Sequence, residues 1–283
     1  MTIAGQGELA LLERIKPYLA AGATGDDAAV VADATGFLVV STDMYVEGVH
    51  FDLNWMTAED AGWRSLALAL GDLAAKGAEP AWVLSSIAMP ETWSEAALSG
   101  LYKGMSLLGQ TYKLAIIGGD MSATDGPAVL SLTVAGRTDK MPLGRAQARA
   151  GWSVGVTGPL GAAAVALRER RSIRLEPRIA EGRRVNSLGL ACGDISDGLV
   201  RELEKFRAMA NVGFILEAAD VPVADGASVD EALTSGEEAE LVCVGPEDVV
   251  RRAGLHVVGR STVEPELIVV GSELETTGYD HFA

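Results

Sequence analysis

A chain of 283 residues with 48% hydrophobic content can bury a large core and is long enough for two domains. Its formal net charge of −16 argues against a nucleic-acid or anionic-membrane partner, both of which call for a basic face. An anionic nucleotide stays open, because a bound divalent cation reverses the local sign.

Residues 1–5 lack a basic region followed by an unbroken apolar run, so no signal peptide is expected. No later stretch reaches the ~18 apolar residues of a membrane span. With only Cys192 and Cys243, both in apolar surroundings and read as packing residues, the expected location is a reducing cytoplasm. Residues 8–19 place Leu11, Ile15 and Leu19 at helical spacing. Residues 28–32 and 37–41 read as a hairpin that turns at Asp33-Ala34-Thr35-Gly36. A long helix rich in small residues is predicted over 58–77, interrupted at Gly71-Asp72. Residues 82–89 read as extended, 94–108 as helical and 114–117 as a short strand ending at Gly118-Gly119-Asp120. Residues 129–136 complete a first half in which Ser131 and Thr133 alternate with apolar neighbours. The polar stretch 137–150, with Pro142 and Gly144, is the linker, dividing a domain of residues 1–137 from one of 151–283 with 138–150 between them. Beyond it, 152–157 reads as a strand, 162–170, 177–188 and 199–210 as helices, and shorter signals of both kinds alternate over 214–270.

Seven aspartates fall in five short Gly- or Ser/Thr-flanked segments: Asp26 and Asp27, Asp43 in Ser41-Thr42-Asp43, Asp72, Asp120 in Gly118-Gly119-Asp120, and Asp194 and Asp197. Asp beside Gly also serves turns and helix N-caps, so no single segment specifies chemistry. Taken together, carboxylates beside apolar stretches converge where like charges need a neutraliser, and a hard cation with oxygen ligands supplies one. Mg²⁺ is the first candidate; it keeps waters and completes its shell with substrate phosphates. Gly118-Gly119 would let a phosphate approach backbone N–H groups. The chain has no G-x-x-x-x-G-K-[ST] loop and no G-x-S-x-G elbow, and His50, His256 and His281 are too scattered for a zinc site.

In order along the chain, GDDAAV at 25–30, STDMYVEGVHF at 41–51, GDLAAKGAEP at 71–80, GGD at 118–120, ACGDISDGL at 191–199, SGEEAEL at 235–241 and GYDHF at 278–282 resemble thiamine-monophosphate kinase, a family of the aminoimidazole ribonucleotide synthetase-like ATP-binding superfamily. The resemblance implies ATP-dependent phosphorylation of thiamine monophosphate to thiamine diphosphate, with ATP as co-substrate and several Mg²⁺ ions. It implies an N-terminal α/β domain whose sheet pairs across a homodimer, followed by an α+β domain. It assigns metal binding to Asp27, Ser41, Thr42, Asp43, Asp72, Asp120, Asp194 and Asp197, and nucleotide contacts to Gly119, Asp120, Arg149 and Ser196. Asp43, Asp120 and Arg149 become the catalytic set, and His50, Glu238 and Tyr279 the substrate side. The chain departs from the family at Ala69 and Gly71, where Asn and Ser are usual, and at Ala239, where an aromatic is usual. Two alternatives stay open: a non-catalytic nucleotide- or cation-binding protein of the same fold, and a related superfamily member acting on another small phosphorylated substrate. Against selenophosphate synthetase and the hydrogenase-maturation member stands the lack of a Cys near either terminus.

Overall fold

Two sheets, one on each side of residues 139–152, organise the chain. The computed structural model describes residues 5, 7–20, 25–274 and 276–282; residues 1–4, on which the signal-peptide expectation is read, lie outside them. The first half comprises α1 (Glu8–Ile15), β1 (Ala29–Asp33), β2 (Gly36–Val46), α2 (Ala58–Ala75), β3 (Glu79–Met89), α3 (Glu95–Tyr112), β4 (Ala115–Ala123) and β5 (Val129–Thr138). Its sheet has the order β1-β2-β5-β3-β4, with β3 and β4 parallel and the other pairs antiparallel. The period of two in β5 buries Leu130, Leu132 and Val134 and leaves Ser131 and Thr133 partly exposed on the other face. The buried face packs with α2 and α3 in one apolar cluster that includes Val39, Val83, Leu66, Leu101 and Met105.

Helix α2 starts at Thr57, whose hydroxyl accepts the Asp60 N–H at 3.0 Å. It is buried on nearly every side, which explains its small residues. A Cβ at Gly62 would lie 1.9 Å from Leu101 O and one at Gly104 1.9 Å from Glu59 O, so α2 and α3 touch backbone to backbone. The helix runs unbroken through Gly71-Asp72, where the sequence predicts an interruption; tertiary packing outweighs the intrinsic cost of glycine. Likewise β2 continues to Val46 and β4 to Ala123, so Asp43 and Gly118-Gly119-Asp120 are strand residues rather than loop residues. Strand β5 is the central strand of the five, and the edge beyond β3 is β4.

The second half adds β6 (Ser153–Val156), α4 (Ala162–Arg168), α5 (Ile179–Leu188), β7 (Ala191–Asp194), α6 (Leu199–Ala210), β8 (Gly213–Glu217), α7 (Val229–Thr234), β9 (Leu241–Gly245), α8 (Glu247–Arg252), β10 (His256–Thr262) and β11 (Leu267–Val270). The sheet order is β11-β8-β10-β6-β9-β7, antiparallel except for β8 with β11. One side carries a core of Phe206, Phe214, Leu203 and Leu216. Val185 of α5, Cys192 of β7 and Leu241 and Cys243 of β9 join the first-half cluster instead. Helix α2 is thus clasped between the two halves, and a polar residue on it can face both. Cys192 and Cys243 are paired in register and buried, with Sγ atoms 3.2 Å apart. Among the described residues no helix is long and apolar enough to cross a membrane.

Candidate functional site

A cleft of about 980 Å³ opens where the halves meet. Its floor comes from the inner row of β2, the middle of α2, the end of β7 and the segment before β1 that carries Asp27. Asp27 and Asp72 reach it from the first half and Asp194 from the second, with one carboxylate oxygen of each lying within 4.8 Å of the others. Gly71 makes room for this meeting, since a Cβ there would sit 3.2 Å from Asp194 Oδ2. Ser41 Oγ donates to Asp72 Oδ2 and, at 3.1 Å, to the Asp27 carbonyl. Tyr45 Oη donates to Asp43 Oδ2 at 3.1 Å. Ser196 and Asp197 line the same cleft, and Lys205 Nζ lies 2.8 Å from Asp197 Oδ2.

The electrostatics divide the cluster. Burial, with the neighbouring charges of Asp43, Asp194 and Asp27, pushes Asp72 well above the usual carboxylate range. Burial and the charges of Asp27 and Glu202 do the same to Asp194. Burial raises Asp43; the Tyr45 hydrogen bond works against the rise, and the charges of Asp197 and Asp27 add to it. Asp27 is the exception: burial alone would raise it, but Arg145 and Lys76 outweigh burial and hold it at about 2. The Arg145 guanidinium donates to Asp27 Oδ1, Glu202 Oε1 and, at 2.9 Å, the Gly25 carbonyl. Neither Arg145 nor Lys76 is among the residues the sequence singles out, although Lys76 stands inside the GDLAAKGAEP segment. A lysine at the end of a small-residue apolar helix was the available signal for Lys76.

The far wall is aromatic. The rings of His50 and His281 lie 5.1 Å apart, those of Tyr279 and His281 4.7 Å apart edge to face, and Tyr45 meets His50 at 5.8 Å. His50 Nδ1 accepts the Val46 N–H at 3.0 Å, and burial holds its imidazole below the ordinary value. The Tyr279 N–H donates to the Asp197 carbonyl at 3.0 Å, which ties the C-terminal segment to the cleft. Glu238 does not line the cleft. It is buried beside the backbone N–H groups of Gly161, Ala162 and Ala163 at the start of α4, and it accepts from the Ser235 hydroxyl. Its neighbour Glu237 does line it and pairs with Arg64 at 2.5 Å, because Glu237 and Ala239 both take positive φ and reverse the side-chain alternation.

Arg149, Gly119 and Asp120 stand elsewhere, whereas Thr42 lines the cleft with its hydroxyl turned to the other side of the sheet. Arg149 is exposed, its guanidinium 5.5 Å from the Trp152 ring centroid, and it is Arg145 that enters the cluster. The Thr42 hydroxyl accepts from Thr133 Oγ1 at 3.2 Å across the outer side of the sheet. Along the pairing register, Asp43, Leu132, Ser85 and Gly119 form one row, while Met44, Ser131, Ser86 and Asp120 form the next. Adjacent rows point to opposite faces, so Asp120 faces away from Asp43, and β4 lies three strands from β2, roughly 14 Å. Asp120 lines instead a shallow depression of about 220 Å³ with Ser86, Ser122 and Ser131.

Residues 25–138 match the family model described as AIR synthase related protein, N-terminal domain. The thiamine-monophosphate kinase of Bacillus subtilis (strain 168) is 32% identical over 300 residues, covering 91% of this chain and 92% of that one. That of Rhodopirellula baltica is 32% identical over 254 residues, covering 82% and 78%. The solved structure of AaThiL complexed with AMPPCP and TMP superposes with a TM-score of 0.89 at 28% identity, covering 98% of this chain and 97% of that one.

Proposed function

The chain belongs to the thiamine-monophosphate kinase family, and we propose that it transfers the γ-phosphoryl group of ATP to thiamine monophosphate, giving thiamine diphosphate and ADP. The observation that carries this reading is the meeting of Asp27, Asp72 and Asp194 within 4.8 Å at the foot of a cleft walled by His50, Tyr279 and His281. The likeness to AaThiL, whose complex contains AMPPCP and TMP, supports it over nearly the whole chain.

The donors at the floor are carboxylate and hydroxyl oxygens, which fit a hard cation such as Mg²⁺. Asp43, Asp72 and Asp194 would hold such ions, with Asp27, Ser41, Ser196 and Asp197 around them. Bound there, divalent cations supply the positive charge that lets two phosphate groups approach. In the reaction an oxygen of the terminal phosphate of thiamine monophosphate bonds to the γ-phosphorus in line, as the bond to the β,γ-bridging oxygen breaks and ADP leaves. The nucleophile is ionised near neutral pH, so the site has to align and neutralise rather than remove a proton. Tyr45 and Ser41 fix the carboxylates that do this, and the aromatic wall offers a flat face to the organic end of the substrate. Incubation with ATP, Mg²⁺ and thiamine monophosphate, followed by chromatography, should yield thiamine diphosphate. Nucleotide binding with no product would leave the two alternatives, a non-catalytic protein of the same fold or a relative acting on another small phosphorylated substrate.

The two neighbouring glutamates separate substrate contact from structure. Glu238→Ala should lower stability by about 1.5–3 kcal/mol, the scale of a charge-assisted hydrogen bond, and leave the KM for thiamine monophosphate unchanged. Glu237→Ala should raise that KM. A KM shift in Glu238→Ala alone would reverse the assignment.

We extend the reading to a homodimer in which Asp120 and Gly119 serve the site of a second copy. Supporting this, Met44 is 60% exposed and Leu84 37% on the outer face of the first sheet, and Ile117 and Met121 are exposed on its edge strand. A second sheet over that face would bury them. Light scattering should return twice the mass of one chain. Asp120→Asn and Asp72→Asn should each be inactive alone, and refolded together they should regain about a quarter of the activity, because random pairing gives half mixed dimers with one intact site each. A mixture that stays inactive would place Asp120 in its own chain's site.

A further inference from the structure

Lys76 is a cation enclosed in the acidic floor of the cleft, and phosphoryl transfer as described leaves it without a task. It caps the C-terminus of α2, where the helix dipole favours positive charge, and its side chain is 1% exposed. Its three ammonium protons meet three acceptors: Asp26 Oδ1 at 2.5 Å, Asp27 Oδ2 at 2.6 Å and the Cys192 carbonyl at 3.3 Å. Arg145 donates to the other oxygen of Asp27, so both oxygens of that carboxylate are engaged by the protein's own cations. The rest of the cluster is not so provided. Among the described residues, the hydrogen-bond partner of the Asp72 carboxylate is the Ser41 hydroxyl and that of Asp43 is the Tyr45 hydroxyl. The cation nearest Asp194 is Arg145, at 3.9 Å.

We propose that Lys76 is a positioning residue that takes the place of one divalent cation, holding Asp27 with a tethered charge and confining exchangeable ions to the Asp43, Asp72 and Asp194 end. The inference rests on the reading that this cluster binds divalent cations. A small ammonium between two carboxylates neutralises them much as a metal ion does, but it carries one charge and is attached to the chain. With all three protons spent on protein acceptors it has none left for a phosphate. Its task is therefore to fix the number and place of the mobile ions rather than to touch substrate.

The test counts ions in the absence of nucleotide. Metal-free protein is titrated with Mn²⁺, and free Mn²⁺ is followed by electron paramagnetic resonance. Lys76→Met exposes Asp26 and Asp27 to the solution ion and should bind one Mn²⁺ more per chain than the unsubstituted protein. Equal counts in the two folded proteins would overturn the inference, whereas no Mn²⁺ binding by the unsubstituted protein would overturn the cation reading beneath it. Should Lys76→Met fail to fold even with Mn²⁺ present, the double variant Lys76→Met/Asp27→Asn decides, because it removes one charge of each sign together. That variant should keep the unsubstituted count. Loss of one ion would show that Asp27 already ligates Mn²⁺ beside Lys76, and the inference would fall.

Discussion

Asp72→Asn should lower kcat for thiamine diphosphate formation by about 10²–10³-fold, the scale for losing one preorganised charge-stabilising group in a transition state. Asn keeps the shape and can still accept from Ser41, whose hydroxyl now bonds the carboxylate. It cannot supply the charge that holds a divalent ion against phosphate. The variant should also be more stable than the unsubstituted protein in chelator, because Asp72 is buried and crowded by the charges of Asp43, Asp194 and Asp27. Adding Mg²⁺ should then reverse the order, since ligand binding to the folded state raises only the protein that retains the site. Thermal midpoints with and without Mg²⁺ read the second effect, and steady-state kinetics read the first. Near-normal turnover at ordinary Mg²⁺ would remove Asp72 from the catalytic machinery.

Arg145→Met should have the largest effect on folding. The guanidinium joins Asp27 and Glu202, whose side chains are both 0% exposed, and also bonds the Gly25 carbonyl. Removing one partner of a buried charge network leaves its carboxylates uncompensated, which costs about 3–5 kcal/mol. At roughly 2 °C per kcal/mol for a chain of this size, the midpoint should fall by about 6–10 °C. Arg149→Met, whose side chain lies outside the cluster, should change the midpoint by less than about 1 °C, in line with the small effect of most surface substitutions. Comparable losses from the two variants would contradict the difference in burial on which the prediction stands.

Much of the framework is legible along the chain. Helix α6 has the limits predicted for it, 199–210, because its apolar spacing, flanking Gly198 and terminal Asn211 in the left-handed region all act locally. The residue types of the site are legible too, since only hard oxygen donors recur beside the apolar stretches. Local patterns failed where packing outweighed propensity, as at Gly71-Asp72 inside α2 and Asp43 inside β2.

Amino-acid order by itself determined which segments become strands and helices, and that carboxylates would crowd one another, for both follow from periodicity and composition over a few neighbouring residues. Which carboxylates meet, and what neutralises them, was decided by the tertiary structure. Arg145 reaches Asp27 across 118 positions and Lys76 reaches Asp27 across 49, distances over which no local pattern carries information. Direction was decided there as well. Glu237 rather than Glu238 turns into the cleft because two departures into positive φ, at Glu237 and Ala239 on either side of Glu238, break the alternation a strand would impose. Asp120 faces away from Asp43 because pairing register, with its period of two, assigns side chains to faces only once the strands have found their neighbours.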